Sequence, residues 1–201
     1  MRRTILIATT NAGKIYEYKY VLAQINLPIT LLWLNDMNTE IPAPDETGVT
    51  YEDNALIKAE YYFNHFKIPV ISDDSGMEIS ALGNIPGVHT ARFLDDHKEN
   101  TFQKLNDLMH EKDPSGINKE ASFHCCAIYK DKNSNIIANA CKQGVFTFPP
   151  KRSFDKSFGY DPVFELPELN KTLAEIDTET KLHYSPRVTV IKEILEKLGQ
   201  Q

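Results

Sequence analysis

Two long strand-like runs, Ala121 to Lys130 and Ile136 to Phe148, flank a short polar stretch, Asp131 to Asn135. That order predicts two long antiparallel strands joined by a turn. A sheet therefore occupies the second half of the chain, and the rest must be read around it. Thr4 to Thr9 is a short β-branched run and predicts a buried strand. Thr10 to Gly13 is a turn, and Lys14 to Leu22 places Ile15, Tyr18, Val21 and Leu22 at helical spacing. Ile29 to Leu34 reads as a second strand. Asn35 to Gly48 is polar, contains Pro42 and Pro44, and reads as a loop. Thr50 to Phe66 predicts a helix that turns Ala55, Ala59, Tyr62 and Phe63 to a core. Pro69 to Ser72 is a compact strand that runs into Asp73, so the next carboxylates stand at its C-terminal edge. Residues 76 to 93 are punctuated by Gly83, Pro86 and Gly87. Asn100 to Met109 reads as a helix, Asp113 to Lys119 as a loop, Phe154 to Pro162 as an aromatic loop, and Arg187 to Leu198 as a terminal amphipathic helix. A long hairpin within this β/α order implies an α/β fold with a mixed central sheet flanked by helices. At 201 residues the chain reads as one domain, 1–201, large enough to bury a sizeable core.

The formal net charge of -6 argues against general duplex DNA binding. It leaves room for a small anionic substrate held by local cations and a metal. The apolar run at the N-terminus is too short for a signal peptide's core, and no stretch approaches the roughly 18 apolar residues of a membrane span. The three cysteines, Cys125, Cys126 and Cys141, read as reduced thiols of a cytoplasmic protein. No CxxC or HxxxH spacing suggests zinc.

Five segments can carry chemistry. In the first, Thr9-Thr10-Asn11-Ala12-Gly13-Lys14, a helix starting just after a turn offers backbone N–H groups and a positive dipole end to phosphate, and Lys14 adds a cation. The two-glycine spacing of a Walker A loop is absent, and a plain turn with a solvated lysine fits as well. The second is Asp73-Asp74-Ser75-Gly76 after an apolar strand. Adjacent carboxylates repel unless a cation offsets them, and one of them can hold Mg²⁺ or deprotonate a water. The third is Asp45-Glu46-Thr47-Gly48 followed by a helix on which Asn54 and Lys58 share a face. Glu46 can supply an oxygen ligand, although read alone this is a charged loop and a solvated helix face. In the fourth, Ser157-Phe158-Gly159-Tyr160-Asp161-Pro162, an aromatic can stack on a nucleobase, at about 1–3 kcal/mol per base, or pack into the core instead. The fifth is Lys181 with Ser185-Pro186-Arg187, where Arg187 can fork onto an oxygen or simply follow a Ser cap and a Pro at the first helical position.

Together these segments resemble the inosine triphosphate pyrophosphatase family, hydrolases of non-standard purine nucleoside triphosphates. The resemblance runs from Ile7 to Lys14, through Glu46-Thr47-Gly48 and Asn54 to Ala59, to the central Asp73-Asp74-Ser75-Gly76-Met77-Glu78. It continues with Ala81-Leu82-Gly83, Pro86-Gly87-Val88, Ala91-Arg92-Phe93 and Phe158 to Phe164. It implies hydrolysis of ITP, dITP and XTP to the monophosphate and pyrophosphate with Mg²⁺. It also implies two lobes around a substrate cleft, and a homodimer; the net charge and the lack of a long apolar stretch predict no nucleic-acid or membrane partner. By matching position, Thr9, Thr10, Asn11, Ala12, Gly13 and Lys14 would hold the triphosphate. Asp74 would be the general base, with Asp45, Glu46 and Asp74 near the metal, Asp73 and Lys58 in support, and Ser75 touching substrate. Phe158, Gly159, Tyr160, Asp161, Lys181, Pro186 and Arg187 would surround the purine.

The chain departs from the family pattern in three places. Ser-His-Arg becomes Ser185-Pro186-Arg187, Gly-Gly after Ala-Leu becomes Gly83-Asn84, and the Gly before Phe-Gly-Tyr becomes Ser157. Proline has no side-chain donor. A lost polar contact to the base would cost about 0.5–1.5 kcal/mol. That is enough to relax base selectivity and too little to stop hydrolysis. A pyrophosphatase of altered base specificity, or a nucleotide-binding protein without catalysis, is the alternative.

Overall fold

The computed structural model describes residues 3–25, 27–37, 41–97, 100–151 and 159–200. Its strands are β1 (Arg3–Ile7), β2 (Ile29–Trp33), β3 (Val70–Ile79), β4 (Ile85–Pro86), β5 (Glu120–Lys130), β6 (Asn135–Phe146), β7 (Phe164–Leu166) and β8 (Lys171–Thr172). Its helices are α1 (Ala12–Gln24), α2 (Tyr51–Phe66), α3 (Thr90–His97), α4 (Thr101–Lys112), α5 (Thr178–Tyr184) and α6 (Pro186–Gly199). The sheet order is β2-β1-β3-β5-β6-β7-β8, with β4 paired to β3. β1 runs parallel to β2 and β3, whereas β4 pairs with β3, and β7 with β6 and β8, in antiparallel fashion. The mixed sheet that the sequence implies is therefore present. Among the described residues no helix is long and apolar enough to cross a membrane.

The chain divides into two compact units. One comprises Met1–Asp74, Cys125–Ala140 and Pro186–Gln201, the other Ser75–His124 and Cys141–Ser185. In the first unit, Leu6, Val70 and Tyr62 pack together, and Ala55 and Ala59 of α2 meet Cys126 and Ile128 of β5. In the second, Met77, Ile79, Leu105, Phe146, Tyr160 and Phe164 form the centre of one core.

The helix ends follow from local chemistry. Asn11 caps α1, its side-chain oxygen accepting from the N–H groups of Gly13 (2.9 Å) and Lys14 (3.1 Å). At α2, the Thr50 hydroxyl accepts from Asp53 N–H and the Asp53 carboxylate accepts from Thr50 N–H, both at 3.1 Å. The helix stops at Lys67, which sits in the left-handed region at φ 59°.

The main departure from expectation is β3. The apolar run ends at Ser72, yet the strand continues through Asp73-Asp74-Ser75-Gly76 to Ile79. The two carboxylates lie inside the strand, not at its edge, because other elements supply partners that offset burying them. The sequence predicts no element at α3 or α5, which are short and polar. Asp177 caps α5 by accepting from Thr180 N–H at 2.8 Å, a local signal that a search for apolar periodicity passes over. Gly83 and Asn84 adopt φ of 66° and 71°. Asn tolerates the left-handed region better than other non-glycine residues, so the second glycine of the family pattern is replaced without breaking the turn.

Gly144 of β6 is required by space. A Cβ there would lie 2.5 Å from Cζ of Phe164 and 2.6 Å from the Glu165 carbonyl oxygen. Gly144→Ala should therefore destabilise the protein by about 1–3 kcal/mol. Urea unfolding would show this as a lower midpoint at unchanged slope.

Candidate active site

Successive side chains of a strand point to opposite faces. Asp73 and Asp74 of β3 consequently meet different partners. Asp73 is turned to α1 and α6. Lys14 Nζ lies 2.7 Å from its Oδ2 and donates to its backbone carbonyl at 3.2 Å. Arg187 Nε donates to the same Oδ2 at 3.0 Å, and the Tyr18 hydroxyl donates to Oδ1 at 3.2 Å. The Arg187 guanidinium also pairs with Glu17. Burial pushes the Asp73 carboxyl up, but Lys14 and Arg187, with Lys58 behind them, hold it well below the usual carboxylate range. Asp73 is thus a fixed negative charge. It uses two of the three ammonium donors of Lys14 and leaves the third for another anion.

Asp74 is turned to α2. Asn54 Nδ2 donates to its Oδ2 at 3.1 Å, and Lys58 Nζ donates to its Oδ1 at 3.3 Å. Lys58 also donates to Glu46 Oε1 at 3.0 Å. Burial raises the Asp74 carboxyl from its ordinary value and Glu46 adds to the rise; Lys58, Lys14 and the Asn54 amide oppose it without cancelling it. For Lys58, burial pulls the ammonium down, and the carboxylates of Asp74, Glu46 and Asp73 more than reverse this. Two adjacent acids are thereby separated in basicity: Asp73 stays ionised and Asp74 accepts a proton more readily. This is the arrangement expected of a carboxylate that works on a proton beside one that holds charge.

The solvated helix face expected for Asn54 and Lys58 is corrected here. Asn54 has no exposed surface and Lys58 is buried, because both point at Asp74. Glu17 and Tyr18 were missed as site residues. The available signal was their spacing of three and four from Lys14, which puts all three on one face of α1.

Glu46 and Asp74 share one ammonium, so two carboxylates face one position. Asp45 is exposed, and its carbonyl accepts from Thr47 N–H at 3.1 Å. No group of three His, Cys, Asp or Glu side chains gathers for a metal ion among the described residues. Two oxygen donors still fit Mg²⁺, which uses one or two carboxylates and completes its shell with water and phosphate oxygens. At the start of α1, Thr9 Oγ1 accepts from Asn11 N–H at 3.1 Å. The N–H groups of Gly13 and Lys14 are engaged by Asn11, so Lys14 Nζ is the better-placed phosphate donor of this segment.

The second unit holds the remaining candidates. Ser75 is half-buried in β3. Phe158 lies outside the described residues, and Gly159 adopts a left-handed φ of 56°. Tyr160 is 2% exposed and donates to the Thr90 carbonyl at 3.1 Å, so its ring belongs to the core. Asp161 is buried and pairs with Lys181. In the first unit, Pro186 opens α6 just before Arg187. Cys125 and Cys126 are buried and Cys141 is exposed, all as free thiols. Burial pushes the Cys126 thiol up to about 12, which fits an inert core residue.

Asp73→Asn would leave Lys14 without its carboxylate and Arg187 with Glu17 alone, and should cost about 3–5 kcal/mol at neutral pH. The folded-state carboxyl is depressed, so its stabilisation is present above the unfolded value of about 3.9 and is lost as pH falls through the lower folded value. Urea melts should accordingly show a constant gap between wild type and variant above about pH 5, narrowing below about pH 4.

The Ham1 family profile matches residues 5–197. A dITP/XTP pyrophosphatase from Dictyoglomus thermophilum is 36% identical over 197 residues, spanning 96% of this chain and 93% of that protein. One from Geobacillus kaustophilus is 37% identical over 200 residues, spanning 97% and 94%. Among solved structures, a HAM1 protein from Coxiella burnetii superposes with a TM-score of 0.86 at 27% identity, covering 99% of this chain and all of that one. The Staphylococcus aureus Ham1 protein gives 0.83 at 28% identity with the same coverage. The full-length match in both sequence and fold agrees with the motifs from Ile7 to Phe164, and the chain belongs to the Ham1 family.

Proposed function

We propose that the chain, acting as one domain over 1–201, hydrolyses ITP, dITP and XTP to the monophosphate and pyrophosphate and so clears them from the nucleotide pool. The observation that carries this is Asp74: a buried carboxylate of raised basicity, held by Asn54 and Lys58, beside an Asp73 that stays ionised. Asp74 takes a proton from a water as the water oxygen bonds to the α-phosphorus and the bond to the leaving pyrophosphate breaks. Lys14 meets the charge that builds on the leaving group, and Asp73 with Arg187 holds Lys14 in place. Thr9, Thr10, Asn11, Ala12 and Gly13 shape the turn that presents Lys14, and Ser75 contacts substrate. Mg²⁺, held by Glu46 and Asp74 with Asp45 next to them, would neutralise triphosphate charge and polarise its oxygens. The family resemblance assigns purine recognition to Phe158, Gly159, Tyr160, Asp161, Lys181, Pro186 and Arg187. The family resemblance further supports a cytoplasmic homodimer that binds nucleoside triphosphates, with no nucleic-acid or membrane partner.

One observation favours a second reading, a pyrophosphatase of altered base specificity. Pro186 offers no side-chain donor, and the Arg187 guanidinium is engaged by Glu17 and Asp73. Base discrimination then rests mainly on the Asp161–Lys181 pair.

Incubation with ITP and Mg²⁺ should release IMP and pyrophosphate. Orthophosphate as the sole phosphate product would refute the reaction assigned. Asp74→Asn should lower kcat by about 10²–10⁴-fold, the range for losing a general base. Lys14→Ala should act mainly on KM, and a fully active Asp74→Asn would remove the base assignment. A turnover series of ITP, XTP, dITP, GTP and ATP tests the second reading. A steep preference for the first three substrates places base selection in Asp161 and Lys181, and a flat profile places the loss at Pro186.

A further inference from the structure

Asn54 is fully buried, and both ends of its amide are used. Nδ2 donates to Asp74 Oδ2 at 3.1 Å, and Oδ1 accepts from Gly48 N–H at 2.8 Å. Gly48 follows Glu46 by two residues, on the segment that shares Lys58 with Asp74. That segment is seated tightly on the start of α2. A Cβ at Gly48 would lie 2.5 Å from Cβ of Asp53 and 2.7 Å from Oδ1 of Asn54. Gly48 is therefore glycine for close approach, and what it approaches is Asp53 and Asn54 in the first turn of α2. One residue later in the chain, Ala55 accepts from the Ser72 hydroxyl through its carbonyl at 2.6 Å, which fixes this turn of α2 against β3.

We propose that Asn54 is a positioning residue of the reaction, acting through Asp74 and resting on the reading of Asp74 as general base. Its amide binds the carboxylate from one side, and its carbonyl oxygen seats the segment that carries Glu46. Donation to Oδ2 sets the carboxylate plane so that Oδ1 faces Lys58 and, through it, Glu46. A single side chain thus sets the spacing between the proton acceptor and the second carboxylate. Asn suits this position because it offers a donor and an acceptor on one rigid planar group. Aspartate keeps the acceptor for Gly48 and loses the donor; alanine loses both.

The test compares Asn54→Ala, Asn54→Asp and Gly48→Ala by steady-state kcat and KM for ITP at saturating Mg²⁺, together with melting temperature. Misplacing a reacting group by about 1 Å can cost about 10²-fold, so Asn54→Ala and Asn54→Asp should both lose kcat on that order with KM within about threefold. A merely structural seat for the loop would be restored by aspartate, so wild-type kcat in Asn54→Asp overturns the proposal. Gly48→Ala retains the Asn54 side chain and pushes the segment of Glu46 away from Asn54 Oδ1 and the start of α2, which makes it informative even if Asn54→Ala fails to fold. It should lose kcat by about tenfold at unchanged KM. Wild-type kcat in Gly48→Ala overturns the link to Glu46. Asp74→Asn, measured alongside, separates the two levels. Full activity there removes the base assignment itself, whereas an inactive Asp74→Asn beside fully active Asn54 variants removes only the positioning role.

Discussion

A pair of carboxylates buried inside a strand is the constraint around which the first unit is built. An isolated ionised carboxylate in a protein interior is unstable by several kcal/mol unless paired and hydrogen-bonded. β3 carries two in succession, so it cannot be a plain core strand. Asp73 is compensated by Lys14 of α1 and Arg187 of α6, with Tyr18 completing its oxygens. These contacts tie the first helix of the chain to the last across one strand. Removing Asp73 or its cations leaves buried charge less compensated.

The alternation of a β-strand turns this compensation into chemistry. Because Asp73 and Asp74 face opposite ways, one looks at α1 and α6 and the other at α2. The first face carries two cations on one carboxylate and fixes its charge. The second carries one cation shared by two carboxylates, plus a neutral amide, and leaves Asp74 the more basic of the pair. The difference arises from which helix packs on which face, not from the identity of the two acids, which are both aspartate.

Much of this was legible in the sequence, and the rest was hidden for physical reasons. The strand-turn-helix opening, the long α2, the paired β5 and β6 and the terminal α6 all follow from apolar spacing. The extension of β3 through Asp73 and Asp74 did not, because periodicity treats a polar pair as the end of a strand. Its partners lie 59 and 114 residues away in sequence, beyond any local signal. Asn54 and Lys58 were visible as a shared helix face, but a polar face on a helix usually meets water. Only the presence of Asp74 opposite makes it a buried one. Tyr160 stood between stacking and packing, and its burial with a hydroxyl donating to Thr90 follows from the core of the second unit, which no motif encodes.

Arg187 shows how a family position and a local role can coincide. It follows Pro186 at the start of α6, where proline's fixed φ and missing N–H suit the first helical position. That geometry directs Arg187 toward α1, where Glu17 and Asp73 take its guanidinium. Five N–H donors in a planar fork allow it to hold both carboxylates at once, which an ammonium with three donors could do less well. Burial works against its charge, and Glu17 and Asp73 more than reverse this, so the guanidinium stays protonated. Arg187 therefore acts first as the counter-ion that keeps Asp73 ionised and Lys14 in place.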